Sequence, residues 1–430
     1  MKVIDISKLI SIPLLLKVNA TILGFIFNLY AARLLSSVEY GLFALCLLLI
    51  IVFACICRFG LDQSVVRFLS TSYADKEELK QRRTFWLAVS IASVGLVIMG
   101  FLVSIGLDEL IAEALEKKQI TPLAFKCLLT AIPVCLLSII SSTYRAFRSS
   151  NLAVLFSGSV TLSLSLLGMW LFQPKSAIEL LNIYMFSGYM ALIFALVHCS
   201  LKFKLSFSLP SKEITNQLLF SSKSLWIVAL TALIIQQGSS IILGKYVTLS
   251  ELAIFTVCFK IATLMSFLLF ALNTVYSPRI AVLYHENNLN GLRELLRAIN
   301  KLALIFSLII FASIVVLGEY ILGFFGSEYE SGYSILVVLA LGNSVNVVTG
   351  LVVTTMVMSG YELLHKRIAI SCAILTLLLS FILIPQFGLL GAAITISVSM
   401  ATQNIVSYFI VKFKILKTNK NKQSPYDIRT

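Results

Sequence analysis

Residues 41–69 read GLFALCLLLIIVFACICRFGLDQSVVRFL, and no charged side chain occurs in this run before Arg58. Roughly 20 apolar residues in a helix cross the ~30 Å hydrocarbon layer of a bilayer. Lipid offers no partner to an open backbone group, so such a run is either helical or part of a closed barrel. Barrel strands alternate apolar and polar side chains over about ten residues, and this run does not. It reads as a transmembrane helix. Arg58 and Asp62 then lie at membrane depth, four residues apart on one helical face.

The same pattern extends along the chain. Its 430 residues are 59% hydrophobic and 13% charged, with a mean hydropathy of +0.96. A soluble domain carries roughly 25% charged residues. Apolar runs place about twelve helices, at 9–33, 41–69, 84–106, 122–146, 151–173, 178–201, 217–244, 250–277, 299–321, 332–358, 367–385 and 388–411. The expected fold class is therefore an all-α polytopic membrane protein. The first span carries Lys17 and lacks an A-x-A-like cleavage site, so no cleavable signal peptide is expected.

The net charge of +14 does not point to nucleic acid, because the basic residues sit in short loops rather than in a stripe interleaved with aromatics. Alternate loops differ in charge. One set holds Lys2, Lys8, Lys76, Lys80, Arg82, Arg83, Arg145, Arg148, Lys202, Lys204, Lys212, Arg279, Arg293, Arg297, Lys366, Arg367 and the tail from Lys412 to Arg429. The other holds Lys117, Lys118, Lys175 and Lys245, beside Glu39, Asp108, Glu109, Glu113, Glu116, Glu251, Glu328 and Glu330. The positive-inside rule then puts both termini in the cytoplasm, and the basic loops attract anionic membrane lipid. The eight cysteines lie mostly within spans, and Cys55-Ile-Cys57 has neither metal-ligand nor redox spacing, so they read as packing residues.

Two segments echo each other. RLLSSVEYGLFALC at Arg33–Cys46 and KYVTLSELAIFTVC at Lys245–Cys258 align Glu39 with Glu251, Phe43 with Phe255 and Cys46 with Cys258, at one offset (251 − 39 = 212). Both copies open a helix running the same way, so the repeat is parallel, an arrangement that places a substrate site between halves near the midplane. The expected organisation is a six-helix bundle over 1–201, a cytoplasmic linker over 202–216, a second six-helix bundle over 217–411 and a basic cytoplasmic tail over 412–430. Within the linker, Pro210 breaks the chain and Ser211 is placed to cap the next helix.

With these motifs aligned, the chain resembles the O-antigen and polysaccharide repeat-unit flippases (Wzx-type), within the exporter superfamily that includes multidrug antiporters and peptidoglycan-precursor flippases. The residues carrying the resemblance are VEYGLFAL at Val38–Leu45, RFGLDQSVVRF at Arg58–Phe68, GKYVTLSELAIFTVCFKIA at Gly244–Ala262, FFGSEYESGYSIL at Phe324–Leu336 and IPQFGLLGAAI at Ile384–Ile394. The resemblance implies two six-helix bundles of the MATE type enclosing a cavity. It implies export of an oligosaccharide linked to a polyprenyl diphosphate of the undecaprenyl kind across a bacterial inner membrane, with a polysaccharide polymerase as a further partner. Family members often carry an acid in the seventh helix, where this chain reads IIQQGSSIILG. That departure leaves proton or sodium coupling in the second half without a carboxylate.

The candidate substrate-binding residues are the cations Lys17, Arg58 and Lys260, with Asp62, Asn19, Gln236 and Gln237 in support. A cation at bilayer depth costs roughly 2.5–3.5 kcal/mol even on lenient scales, so such residues face a water-filled cavity or a partner. Lys17 can meet a diphosphate or snorkel to the interface. Arg58 can offer donors to phosphate or serve only as the partner of Asp62. Lys260 is about ten residues into its helix with no acid in helical reach, which argues for a cavity. Precursor flippases line their cavity with cations from the first, second and eighth helices, which supports all three. Amides such as Gln236, Gln237, Asn343, Asn346, Gln403 and Asn404 suit sugar hydroxyls or interhelical contacts. Arg145 and Lys223 read as interfacial.

The sequence contains no Walker A loop, G-x-G-x-x-G, H-E-x-x-H or G-x-S-x-G. No cofactor and no enzymatic activity are expected. Two rivals remain: a cation-coupled multidrug antiporter on the same fold, which wants intramembrane carboxylates, and a membrane glycan polymerase or ligase, which wants a long outer loop.

Overall fold

The computed structural model describes residues 12–203, 206–208 and 211–416. Lys2, Lys8, Pro210 and the tail beyond residue 416 lie outside them. Among the described residues the fold is all helix, with α1 Ile12–Leu34, α2 Ser37–Arg58, α3 Leu61–Ala74, α4 Glu78–Leu102, α5 Asp108–Ala114 and α6 Thr121–Ala146. There follow α7 Ser150–Val154, α8 Val160–Phe172, α9 Ala177–Phe203, α10 Lys212–Leu233, α11 Ser239–Tyr246 and α12 Leu249–Thr263. The chain continues through α13 Phe267–His285, α14 Leu289–Gly323, α15 Tyr333–Thr349, α16 Val352–Met358 and α17 Glu362–Ile410.

Grouped across their kinks, these helices give 11 stretches long and apolar enough to cross a membrane, among the described residues. The last, Glu362–Ile415, joins the two spans expected at 367–385 and 388–411. It is not a straight rod. Gly388 has φ 52° and ψ −124°, outside helical space. A Cβ built on Gly391 would fall 2.2 Å from the Leu383 carbonyl oxygen, although eight residues of straight helix would separate the two by about 12 Å. The chain therefore reverses, and α17 holds two spans.

The second expected span is corrected. Hydropathy predicts one helix over 41–69, but α2 stops at Arg58 because Phe59 and Gly60 take left-handed conformations, with φ 48° and 69°. Gly60 permits the break and also a close approach: a Cβ there would meet the Trp226 nitrogen at 2.5 Å and the Ser222 oxygen at 2.6 Å. Ser222 Oγ donates to Ser64 Oγ at 2.8 Å, which ties α10 to α3 one turn beyond the break.

Contacts divide the chain into two compact units. The first comprises Leu15–Leu233 and Ser240–Ala253. Here α6 is the hub, packed by α2, α3, α4 and α9. Phe27, Phe43 and Tyr184 form one ring cluster with centroids 6.0–6.4 Å apart. Ser206 and Phe207 of the linker lie on the Trp86 indole, whose N–H donates to the Ser206 carbonyl at 3.2 Å. At the other end of the linker, the Ile214 N–H donates to Ser211 Oγ at 3.4 Å, the cap expected for α10.

The echoing segments meet within this first unit. Ser250 Oγ donates to Ser37 Oγ at 2.8 Å, and a Cβ on Gly41 would fall 1.8 Å from the Leu249 carbonyl oxygen. Both segments open with the S/T-x-x-E pattern of a capping box. In the second copy the box closes: the Thr248 N–H donates to Glu251 Oε2 at 2.8 Å and the Glu251 N–H donates to Thr248 Oγ1 at 3.3 Å. In the first, the Glu39 N–H donates to Ser36 Oγ at 3.3 Å, while Glu39 Oε2 accepts from the Ala177 N–H at 2.6 Å and caps α9 instead.

The second unit comprises residues 12–14, Ile234–Ser239 and 254–416. Its core is built where α14 packs on α13 and α15, and α15 on α17. Leu272, Tyr276, Ile280, Leu292, Leu295 and Ile299 bury their side chains there.

Candidate functional site

In the first unit, the break after Arg58 decides what the Arg58–Asp62 pair is. Arg58 Nε lies 3.6 Å from Asp62 Oδ1, and the two side chains are 22% and 18% exposed. Their spacing predicts one continuous helical face, whereas Arg58 sits on the last turn of α2 and Asp62 on the first turn of α3. At 3.6 Å the contact is an ion pair and not a hydrogen bond. Arg58 Nε and Asp62 Oδ1 are both buried without a hydrogen-bond partner among the described residues.

The guanidinium is held from another side, since Arg58 Nη1 donates to Ser138 Oγ on α6 at 2.8 Å. Around it lie Cys55 and Cys135. Arg145, expected as an interfacial anchor, stands within electrostatic reach of both Asp62 and Arg58 and donates from Nη2 to Ser142 Oγ at 2.7 Å. Two guanidiniums thus share a neighbourhood with one carboxylate, which leaves an excess of positive charge. Sequence spacing could not show this, because Arg145 comes from α6, 87 positions after Arg58 (145 − 58 = 87).

Lys17 is half-buried and Asn19 exposed, both on α1 in the first unit. The Lys17 carbonyl accepts from Thr21 Oγ1 at 2.9 Å. Further along α1, Asn28 Oδ1 accepts from the buried Tyr40 hydroxyl at 2.9 Å, which gives that amide a structural role.

Lys260, Gln236 and Gln237 belong to the second unit. Lys260 is exposed on α12, one turn before the 3-10 turn Leu264–Ser266, and forms no ion pair among the described residues. Gln236 and Gln237 lie in a π-helical turn, Ile234–Gly238, with Gln236 exposed and Gln237 half-buried. Such turns occur often at functional sites in helices. Neither its position nor its type was visible in the hydropathy pattern. Asn343 and Asn346 converge on one hydroxyl: Ser266 Oγ donates to Asn343 Oδ1 at 3.1 Å and accepts from Asn346 Nδ2 at 3.2 Å. These two amides join helices. Among the described residues, no group of three or more His, Cys, Asp and Glu side chains is placed to hold a metal ion.

Comparison with known proteins fits this fold. The family Polysacc_synt, described as polysaccharide biosynthesis protein, matches residues 7–283, and MatE matches residues 225–382. The chain is 27% identical over 171 residues to a capsular polysaccharide biosynthesis protein, CapF, of Staphylococcus aureus, covering 39% of this chain and 42% of that one. It is 26% identical over 208 residues to a probable flippase, AglR, of Haloferax volcanii, covering 47% of this chain and 43% of that one. The matched stretches thus span less than half the length of these relatives. The fold is similar to that of a MATE family multidrug resistance transporter of the MOP superfamily in its inward-facing conformation, with a TM-score of 0.75 at 16% identity over 93% of this chain and 96% of the other. The chain is a multi-pass membrane protein and belongs to the polysaccharide biosynthesis protein family.

Proposed function

We propose that the chain is a flippase that moves an oligosaccharide repeat unit, linked to an undecaprenyl-type diphosphate, across the bacterial inner membrane by alternating access. The observation that carries this reading is the Arg58 guanidinium. It is anchored by Ser138 and Asp62, accompanied by Arg145, and has a buried N–H without a hydrogen-bond partner among the described residues. A fixed guanidinium with spare donors suits a diphosphate, whose oxygens accept forked, charge-assisted hydrogen bonds.

Lys17 and Lys260 add positive charge on membrane helices, and each meets the diphosphate during the cycle. Gln236 and Gln237 face the sugar hydroxyls. The prenyl chain stays in lipid. Both termini are cytoplasmic in this reading, and the product suits O-antigen or a similar surface polysaccharide, handed on to a polymerase. With no nucleotide-binding loop in the sequence, the energy comes from an ion gradient such as protons or sodium, from the membrane potential, or from downhill consumption of the product.

Complementation of a strain lacking its repeat-unit flippase tests the reading. The wild-type chain restores surface polysaccharide, and the triple variant Lys17→Ala, Arg58→Ala, Lys260→Ala does not, at equal membrane abundance. Full restoration by the triple variant would overturn the cationic site. The MATE likeness raises one alternative, a cation–drug antiporter. Efflux of cationic dyes from proteoliposomes of the purified chain, dependent on Asp62, would favour it.

A further inference from the structure

A cationic cavity lies within the second unit, at the start of α14. It has a volume of about 360 Å3 and is lined by Arg293, Arg297, Asn300 and Lys412, together with apolar residues that include Leu296 and Val411. No carboxylate lines it. Arg293, Arg297 and Asn300 follow at i, i+4 and i+7 on α14 and so share one face.

Side-chain and backbone contacts frame the cavity. Arg293 Nη1 donates to Asn290 Oδ1 at 2.9 Å, and Nη2 donates to the Leu416 carbonyl, so this side chain pins the end of the last helix to α14. Gly350, with φ 71°, brings its backbone against Asn300, where a Cβ would fall 2.2 Å from Oδ1. Asn300 Oδ1 is nevertheless buried without a hydrogen-bond partner among the described residues. Arg297 and Lys412 are exposed at the rim, with no carboxylate within ion-pair distance among the described residues.

Three cations, one unsatisfied acceptor and an aliphatic wall describe a specific kind of ligand. The cations call for an anion. The buried acceptor calls for a hydroxyl donor. Leu296 and Val411 call for hydrocarbon. We propose that this cavity binds the headgroup of an anionic phospholipid, with the phosphodiester against Arg297 and Lys412, a headgroup hydroxyl donating to Asn300 and the acyl chains continuing along the apolar wall. Basic pockets between membrane helices hold anionic headgroups in this way. Free phosphate offers the same charge without the hydrocarbon, and the experiment separates the two. The site does not depend on the flippase reading, since none of its residues belongs to the proposed substrate path.

The test uses the full chain, purified and stripped of lipid in detergent, with phosphatidylglycerol, phosphatidylcholine or inorganic phosphate added. Bound lipid is counted by native mass spectrometry and the thermal midpoint is followed in parallel. Phosphatidylglycerol is expected to bind and raise the midpoint, and the other two are not. Arg297→Gln with Lys412→Gln should weaken phosphatidylglycerol binding about thirty-fold, since each cation near an anionic lipid is worth roughly a fivefold change. Arg293 is left intact because it holds Leu416. Asn300→Asp, isosteric but anionic, is a second variant expected to weaken binding by about tenfold or more. Equal binding of phosphatidylcholine, or unchanged binding in both variants, would overturn the proposal. A midpoint shift with inorganic phosphate alone equal to that with phosphatidylglycerol would overturn the lipid assignment.

Discussion

Arg58 Nε and Asp62 Oδ1 stand 3.6 Å apart across a helix break, each buried and neither hydrogen-bonded among the described residues. An intact helix would have turned the pair into an ordinary i, i+4 contact along one face. The left-handed Phe59 and Gly60 instead separate the backbone donors and acceptors of α2 from those of α3 and leave the side chains to face each other over the gap. Unsatisfied buried polar atoms cost about 1–3 kcal/mol each, so a native pair of them needs a reason. In the proposed flippase reading, substrate recognition supplies one.

Arg58→Lys is therefore expected to behave differently from Arg58→Ala. Lysine keeps the charge but is a single point donor, and it cannot serve Ser138, Asp62 and a phosphate together. Flipping of a lipid-linked oligosaccharide in proteoliposomes should fall about tenfold with lysine and beyond detection with alanine. A wild-type rate with lysine would show that charge alone matters at this position, and wild-type rates with both would remove Arg58 from the substrate site.

Asp62→Asn should cost stability more than it costs recognition of anions. The substitution removes the only carboxylate paired with Arg58 among the described residues and leaves a half-buried guanidinium anchored by Ser138 alone. A loss of about 1–3 kcal/mol is expected, read as a lower thermal midpoint in detergent. Arg58→Gln combined with Asp62→Asn should recover part of that loss, because neither charge is then unpaired. Failure of the double variant to regain stability would mean that the pair is not coupled.

The membrane class, the span count and the order of the helices were legible in the sequence because hydropathy reports burial in lipid directly. Leu264–Ser266 and Ile234–Gly238, however, sit inside apolar runs whose composition does not change at the turn. The break at Phe59–Gly60 was hidden for the same reason: one glycine in a long apolar run is compatible with an unbroken helix, and the close backbone of Trp226 comes from 166 positions away (226 − 60 = 166). By sequence Arg145 reads as interfacial, because nothing local ties α6 to the end of α2. The capping carboxylates could have been found, since S/T-x-x-E stands at both Ser36–Glu39 and Thr248–Glu251. That Glu39 would cap α9 could not.

Glu39→Ala and Glu251→Ala occupy equivalent positions in the echoing segments and should differ in effect. Glu251 closes a local box with Thr248, so its loss should cost the roughly 0.5–2 kcal/mol of a helix cap. Glu39 caps a helix distant in sequence, through a 2.6 Å charge-assisted bond to the Ala177 N–H. Its loss should therefore also loosen α9 from α2. Hydrogen exchange at the start of α9 should rise in Glu39→Ala and stay unchanged in Glu251→Ala. The same exchange pattern in both variants would contradict the division of roles.

Gly60 offers the sharpest test of the break. A left-handed conformation costs an L-residue about 1–2 kcal/mol, and Gly106, with φ 110° and open space around its Cβ position, carries that cost alone. Gly60 carries it too, and its Cβ would also press on the Trp226 nitrogen and Ser222 oxygen at 2.5 and 2.6 Å. Those are backbone atoms of α10 that cannot swing aside, so overpacking should add about 1–3 kcal/mol. Gly60→Ala is expected to lower the thermal midpoint well beyond Gly106→Ala and to impair transport, because the shift that relieves the clash also moves Arg58 and Asp62. Gly106→Ala should transport normally. If the two variants melt together and transport equally, the close approach of α10 does not set the geometry of the charged pair.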